Sequence, residues 1–252
     1  MKVTPLAAVA FAISTATAFA ADLEVPLKAA PVAPPFTWTS CYAGLQAGGG
    51  FGQTNLTDSA GTIAATGVVG FTSANTGIDG YLLGGQIGCD YQFASNWVAG
   101  FEGSAGWGNI SGNTTVAIPG DSVNFTENTD LLTSVTARIG YAWNDWLLYA
   151  KGGAAWTGNR YSASDAAGLF AFAGLETRLG WTAGAGIEWA LSRNWSVKLE
   201  YDYYGFGTRS VTFIDNTISG IAGPVNINQN IQIVKLGLNF HVFGATSGPL
   251  EW

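Results

Sequence analysis

The sequence contains few charged residues, and most of them are negative. Charged residues make up 11% of the chain, and the 10 Lys and Arg against 17 Asp and Glu give a formal net charge of −7. A protein that binds nucleic acid needs a basic surface to neutralise phosphates. The composition therefore argues against a nucleic-acid partner.

Histidine, cysteine and long apolar runs are also scarce. His241 is the one histidine, and Cys41 and Cys89 are the two cysteines, so the chain has too few of the usual nitrogen and sulfur ligands to build a closed four-ligand metal site. No apolar run approaches the ~20 residues that a membrane-spanning helix needs. We therefore predict no metal site, no catalytic site and no cofactor, and we expect the protein not to be an enzyme.

Glycine and tryptophan are abundant instead, with 35 and 10 residues. The stretch from Arg178 to Tyr204 shows how they are arranged. Apolar residues from Leu179 to Leu191 alternate with glycine, Thr or Glu, a polar break follows, and the alternation resumes at Trp195. A period of two predicts strands, and the short break predicts a hairpin. One aromatic-rich face and one small or charged face are typical of a transmembrane β-barrel.

The same alternation recurs along the chain and predicts eight strands. A short turn followed by Trp recurs about every 50 residues, at Trp97, Trp146 and Trp195, and segments of ~20 residues separate the hairpins on the other side. The pattern predicts an all-β fold, an eight-stranded antiparallel up-and-down transmembrane β-barrel. The predicted strands are 40–53, 77–93, 97–107, 131–143, 146–156, 178–191, 195–204 and 230–242.

The ends of the chain predict export. Residues 1–20 combine an early lysine, an apolar core and an Ala-Phe-Ala cleavage site, as in a signal peptide. We interpret 21–39 as a Pro-rich periplasmic leader, 40–243 as the barrel and 244–252 as a C-terminal tail. The predicted location is the outer membrane of a Gram-negative bacterium, with the N-terminus in the periplasm.

The inward face of the predicted strands carries ten charges, five of each sign. Charges removed from bulk water must pair or stay hydrated, and an eight-stranded barrel is just wide enough for side chains to fill it. We expect a charge network that plugs the lumen, with a narrow ion or solute path as the alternative. The ten residues are Asp90, Glu102, Arg138, Lys151, Arg178, Glu188, Lys198, Glu200, Asp202 and Lys235.

The outward face carries aromatic residues close to the short turns. Such residues gather at membrane interfaces because their rings are apolar and their edges polar. A soluble barrel of the lipocalin kind would need the reverse arrangement, with apolar residues inside. We therefore predict an aromatic girdle at the turn side, formed by Trp97, Trp143, Trp146, Trp189 and Trp195.

Two features of the outward face leave alternatives open. Cys41 lies opposite Cys89 if Phe51 pairs with Asp79, so either a cross-strand disulfide or two free thiols fits the sequence. Phe170 and Phe172 are candidates for contact between the third loop and a partner or apolar ligand. Their alternation favours instead an extension of strands five and six beyond the membrane.

Several segments resemble the small alphaproteobacterial outer-membrane β-barrel proteins, the porin-family or opacity-type surface antigens. The resemblance implies major envelope proteins that stabilise the outer membrane and display surface loops, in contact with lipid and lipopolysaccharide. Some members are described as haem binders or adhesins, and the family supplies no catalytic residues. The matching segments include 36–44, 138–141, 149–154, 180–188, 199–201 and 235–240.

The C-terminus departs from this family pattern. Such barrels usually end in an aromatic residue that the barrel-assembly machinery recognises. Here Val242 takes the outward place, Phe243 follows, and a tail continues to Trp252. Phe240, Phe243 and Trp252 are the alternatives for the assembly signal.

Overall fold

The computed structural model describes residues 37–57, 73–93, 96–118, 121–165, 171–214 and 222–242. They form eight strands in which each is antiparallel to the next, and β1 pairs with β8 to close a barrel. The predicted eight-stranded antiparallel barrel is confirmed. The predicted signal peptide, most of the leader and the tail lie outside the described residues. The strands are β1 Ser40–Thr57, β2 Ser73–Phe93, β3 Trp97–Ile118, β4 Asp121–Trp143, β5 Trp146–Asp165, β6 Ala171–Ala190, β7 Trp195–Ile214 and β8 Ala222–His241.

Most strands are much longer than the sequence predicts. For example, β3 reaches Ile118 rather than residue 107, and β7 reaches Ile214 rather than residue 204. Most of the second, third and fourth predicted loops on that side is therefore strand. The reason is that large apolar residues stop alternating there while backbone pairing continues, and apolar alternation was the signal for a strand. Within the described residues, no helix is long and apolar enough to cross a membrane.

Asparagine side chains fix the short turns. Asn144 has a φ of 54°, a left-handed conformation that asparagine tolerates better than most residues. Asn96 donates from Nδ2 to the carbonyl oxygen of Ala142 at 2.6 Å, and Asn194 does so to that of His241 at 3.0 Å. The repeated asparagine therefore ties one short turn to the end of a strand that lies elsewhere in the sequence.

Two rings of aromatic side chains encircle the outer surface. All five residues of the predicted turn-side girdle are exposed there, and Trp146 and Trp189 stack with ring centroids 5.4 Å apart. Eight to ten residues along the strands would span about 25 Å of tilted barrel, the usual height of the lipid-facing band. The second ring lies at that spacing and was not predicted as a ring; its members include Phe51, Tyr81, Trp107, Trp156 and Trp181.

Beyond the second ring the polarity of the barrel wall reverses. On β3, Asn109 and Asn113 are exposed on the outside while Ile110 between them is fully buried. On β8, Ile227 and Ile231 are buried inside, whereas Asn228 and Asn230 lie on the outer side of the same strand. One half of the barrel is therefore apolar outside with a charged interior, and the other half is polar outside with an apolar layer within.

Irregular strand pairing marks the boundary between the two halves. The register shifts between Trp107 and Ile110, between Thr129 and Leu131, and between Gly205 and Thr208. A β-bulge re-aims neighbouring side chains and increases local twist. At the last of these shifts Phe206 is buried, where it adds to the apolar interior.

Candidate functional site: the barrel interior

Nine of the ten predicted lumenal charges form one connected cluster, the lumenal charge network. Each is no more than 6% exposed, and five acids face four bases. Arg178 is the exception. Gly184 on β6 is paired with Asp202 and so marks the level of the network, and Arg178 lies six residues, about 20 Å, further along the same strand. The members of the network are Asp90, Glu102, Arg138, Lys151, Glu188, Lys198, Glu200, Asp202 and Lys235.

Two glutamates form the centre of this network. Glu102 accepts hydrogen bonds from Lys198 Nζ at 2.6 Å and Lys151 Nζ at 3.2 Å. Glu200 accepts from Lys151 Nζ at 2.5 Å and lies 2.8 Å from Lys235 Nζ. Charge-assisted hydrogen bonds of this kind are stronger than neutral ones. They link strands on opposite sides of the barrel, so the lumen is cross-linked at its middle.

Arg138 extends the network towards the short turns. Its guanidinium bonds to Asp90, and Nη1 donates to Glu188 Oε2 at 3.2 Å. The same group lies 4.8 Å from the ring centre of Tyr42 and 5.0 Å from that of Tyr149, between the two rings. Aromatic faces attract cations. The predicted network did not include these tyrosines, although each donates a hydrogen bond to a network carboxylate, Tyr42 to Glu102 and Tyr149 to Glu200.

Lumenal glycines give these long side chains their space. A Cβ on Gly184 would collide with the carboxylate of Asp202, and one on Gly186 would collide with the hydroxyl group of Tyr149. The absence of a side chain at these inward positions therefore leaves room for the network. Close packing of this kind leaves little volume for a continuous water column at the level of the network.

A second polar cluster surrounds the one histidine. His241 is buried, with Nδ1 2.7 Å from Ser40 Oγ and Nε2 2.9 Å from Ser196 Oγ, and Ser196 donates to Glu188 Oε1 at 2.5 Å. The alternation of inward and outward residues along a single strand could not reveal this cluster, because its members come from β1, β6, β7 and β8.

An apolar layer closes each side of the network. At the turn end, Trp38 is fully buried beneath the barrel and its backbone NH donates to Gln92 Oε1 at 2.9 Å. Around it lie Val98, Ala142, Leu147, Tyr149 and Ala190. On the other side of the network, a larger apolar layer fills the barrel, formed by Ile78, Leu82, Ile110, Leu132, Ala155, Tyr204, Phe206, Ile231 and Ile233. The sequence predicts neither layer.

Beyond the larger apolar layer lies a polar layer that includes Arg178. Its Nη1 donates to the carbonyl oxygen of Ile227 at 3.4 Å. Glu127, in a segment predicted as a loop, is buried on β4 and accepts from Gln229 Nε2 at 2.7 Å, while Gln229 accepts from Asn159 at 2.9 Å. Charged, apolar and polar layers therefore alternate along the interior.

The remaining predicted residues lie on the strands. Cys41 and Cys89 are directly opposite each other on β1 and β2 and form a disulfide. Phe172 lies in β6 rather than in a loop, because β5 and β6 pair as far as Ser164 and Ala171. Phe170 lies outside the described residues. The extension of these two strands is the outcome that the alternation favours.

Comparison with known proteins identifies the family. The family described as outer membrane protein beta-barrel domain matches residues 6–241. The chain is 30% identical to the 31 kDa outer-membrane immunogenic protein of Brucella melitensis, over 95% of this chain and 99% of that protein. It is also 30% identical to the 25 kDa outer-membrane immunogenic protein of Brucella abortus, over 81% and 84% of the two chains.

A solved structure supports the fold. The outer membrane protease OmpT from Escherichia coli aligns with a TM-score of 0.52 and 10% identity, over 82% of this chain and 98% of that one. At that identity the likeness concerns the fold alone. The resemblance drawn from the sequence is confirmed by the family match and by the curated relatives. The chain belongs to the outer membrane protein beta-barrel domain family and is a protein of the Gram-negative outer membrane.

Proposed function

We propose that the protein is a sealed barrel that stabilises the cell envelope and displays its extramembrane half at the cell surface. The observation that carries this proposal is the layered interior. An ion crossing it would have to pass both apolar layers and separate charges that are paired out of contact with water. Separating one buried pair costs several kcal/mol. A structural role fits such an interior better than transport does.

Conductance of the purified, refolded protein in planar bilayers tests the sealed interior. We expect a baseline without discrete steps, because the network and the apolar layers leave no continuous aqueous path. A porin of known conductance, added afterwards to the same bilayer, checks that insertion and recording work. Steady discrete openings of the protein alone would contradict the proposal and favour the narrow channel.

Surface display is supported by the polar outer wall beyond the second aromatic ring. Asn113 is exposed on that wall, whereas Arg193 is exposed in a short turn at the other end. The Brucella relatives are named immunogenic proteins, which accords with access from outside the cell. We expect Asn113→Cys to react with a membrane-impermeant maleimide on intact cells. The matched Arg193→Cys variant is expected to react only after permeabilisation, and the reverse result would contradict the orientation.

The proposal includes the absence of enzymatic activity. The Ser40, His241 and Ser196 arrangement has the residue types of acyl transfer, yet all three side chains are buried and Trp38 covers that end. A nucleophile and its base must reach the substrate. We expect hydrolysis of nitrophenyl esters to stay at background for both the wild type and His241→Ala. Activity that the substitution abolishes would contradict this.

The position of His241 also argues against a haem site at the extramembrane end of the barrel. His241 is the one histidine in the chain and lies inside the turn end of the barrel. Haem held at the opposite end would therefore lack an axial histidine, the commonest protein ligand of haem iron. We accordingly propose no resident cofactor. Absorbance titration with haemin, with His241→Ala as the control, measures this directly.

A further inference from the structure

The pairing between β6 and β7 stops at the level of the second aromatic ring. The two strands pair from Ala190 and Ser196 as far as Trp181 and Gly205. Further out, among the residues that the structure describes, β6 pairs with β5 and β7 pairs with β8, but β6 and β7 do not pair with each other. Two strand edges therefore face each other in the extramembrane half, and the opening between them is called here the β6–β7 seam.

A β-bulge at the base of the seam accounts for the separation. Gly207 has a φ of 64°, a left-handed conformation that glycine adopts without steric cost, and the register between β7 and β8 shifts between Gly205 and Thr208. A bulge bends the strand that carries it and increases its twist. Beyond the bulge β7 keeps its pairing with β8 as far as Ile214 and leaves β6.

The β6–β7 seam is more open than the wall between β2 and β3. Pairing of β2 with β3 also ends, at Asp79 and Ser111, but further out Thr76 Oγ1 still donates to Thr114 Oγ1 at 2.6 Å. At the seam, by contrast, the four consecutive β7 residues 207–210 are all exposed. A strand in a closed wall buries every second residue against the interior. Four exposed residues in a row therefore indicate a strand that is open on both sides.

The inner side of the seam carries an accessible positive charge. Arg209 lies directly opposite Ile227, which is fully buried inside the barrel, so Arg209 is on the inner side of β7 and is nevertheless exposed. Arg178 on the facing edge donates to the carbonyl oxygen of the same Ile227 at 3.4 Å. The sequences of the two edges contain one acid, Glu176, against these two arginines. In a chain with a net charge of −7, the seam is a place with an excess of base.

The β7 edge has the chemistry of a strand acceptor. An unpaired edge presents a row of NH donors and carbonyl acceptors, and another extended chain satisfies them by adding a strand. The edge runs from Phe206 to Ile214, about 30 Å of strand. It begins next to Trp181 of the second ring, so it lies outside the lipid-facing band. A backbone edge of this length specifies an extended polypeptide as its ligand.

We propose that the β6–β7 seam binds an extended acidic segment of a partner protein. The segment adds a strand to the β7 edge and places a carboxylate beside Arg209. The proposal deepens the display role and rests on it for the side of the membrane from which the partner comes. Peptide binding in detergent is independent of that orientation, which the Asn113→Cys labelling tests alone, so the two can fail separately.

Fluorescence anisotropy with the full mature chain in detergent tests the proposal. The probe is a labelled ten-residue peptide of alternating threonine and valine with one central glutamate. One competitor replaces the glutamate by lysine, and another keeps every side chain but has N-methylated backbone amides. We expect the lysine peptide to bind about fivefold more weakly, and the N-methylated peptide at least about tenfold more weakly, because it loses the hydrogen bonds to the edge.

Variants identify the edge that binds. Arg209→Glu is expected to reverse the preference, so that the lysine peptide binds more tightly than the glutamate peptide. The matched control, Arg193→Glu, reverses an exposed charge in a short turn at the other end and is expected to change neither affinity. Migration of unheated samples on gels checks that each variant folds. Hydrogen exchange is expected to show that the peptide slows exchange of amides in residues 207–214.

Four results would overturn the proposal. The first is equal binding of the N-methylated peptide, which would mean that the backbone edge is not used. The second is a folded Arg209→Glu variant that still prefers the glutamate peptide. The third is slow exchange of all amides of residues 207–214 in the free monomer, which would show that the chain closes its own seam. The fourth is a dimer that protects those amides without peptide, which would make a second copy of the chain the occupant.

Discussion

The two halves of the barrel solve opposite solvation problems with the same eight strands. In the half between the aromatic rings, apolar side chains face outward, and the interior holds nine buried charges. In the half beyond the second ring, amides and hydroxyls face outward, and the interior holds buried isoleucines followed by the polar layer that includes Arg178. Lipid accepts apolar groups but cannot satisfy polar ones, whereas water does the reverse. The polarity of the outer face therefore matches the surrounding solvent in each half, whereas the interior of each half satisfies its polar groups with partners inside the barrel.

Removing a carboxylate from the lumenal charge network is expected to have the largest effect on the stability of the barrel. Glu102→Ala removes the carboxylate that holds Lys151, Lys198 and Tyr42. We expect a loss of about 3–5 kcal/mol in the free energy of unfolding, because Lys151 and Lys198 each lose a buried charge-assisted hydrogen bond and are left to share Glu200. Urea titration in vesicles, followed by tryptophan fluorescence, measures it. Asp79→Ala, an exposed acid of the other half, is the control and is expected to change little.

Truncation inside the extramembrane half tests whether its apolar layer bears stability. Ile110→Ala is expected to cost about 2–4 kcal/mol, since it leaves a cavity in a packed layer. Ile87→Ala removes a similar side chain from the lipid-facing wall, where Ile87 is 66% exposed. Acyl chains can fill that space, so we expect less than about 1 kcal/mol. Equal losses in the same urea titration would mean that the upper interior is not packed.

A lysine introduced on the outer wall at two positions of one strand locates the boundary between the two halves. Phe101→Lys puts a charge on the lipid-facing wall of β3, and we expect it to cost about 2–4 kcal/mol. Asn109→Lys makes the same residue eight positions along the same strand, beyond Trp107. There we expect a change within about 0.5 kcal/mol. Similar costs at both positions would place the second ring inside the membrane rather than at its edge.

The membrane half could be predicted from sequence because apolar outward residues alternate with polar or small inward residues along every strand of it. The number of strands and their register follow from the repeats at Trp97, Trp146 and Trp195 and from the outward apolar residues. The same alternation shows which charged residues face inward, and this was enough to find nine members of the network. Arg178 was wrongly assigned to the network. The alternation shows that its side chain faces inward but not how far along the barrel axis it lies, and it lies beyond the larger apolar layer.

The extramembrane half could not be predicted in the same way. Its strands alternate amides with isoleucines on β8 and polar residues with Ile110 on β3, so the search for outward apolar residues reads them as loops. Register shifts near Trp107, Thr129 and Gly205 also break the period of two at the boundary. The cluster around His241 needed the closure of β1 on β8, which brings residues 201 positions apart into contact.

The smallest effect is expected for the exposed ion pair of the extramembrane half. Arg160 Nη2 lies 3.3 Å from Asp130 Oδ2, with both side chains more than half exposed. Water screens the pair, so a double-mutant cycle of Arg160→Ala and Asp130→Ala should give a coupling of at most about 0.5 kcal/mol. Raising the salt concentration should remove most of that coupling, whereas the loss caused by Glu102→Ala should persist. A large, salt-resistant coupling at the exposed pair would mean that this wall is covered by a partner, and that its polar side chains are not simply facing water.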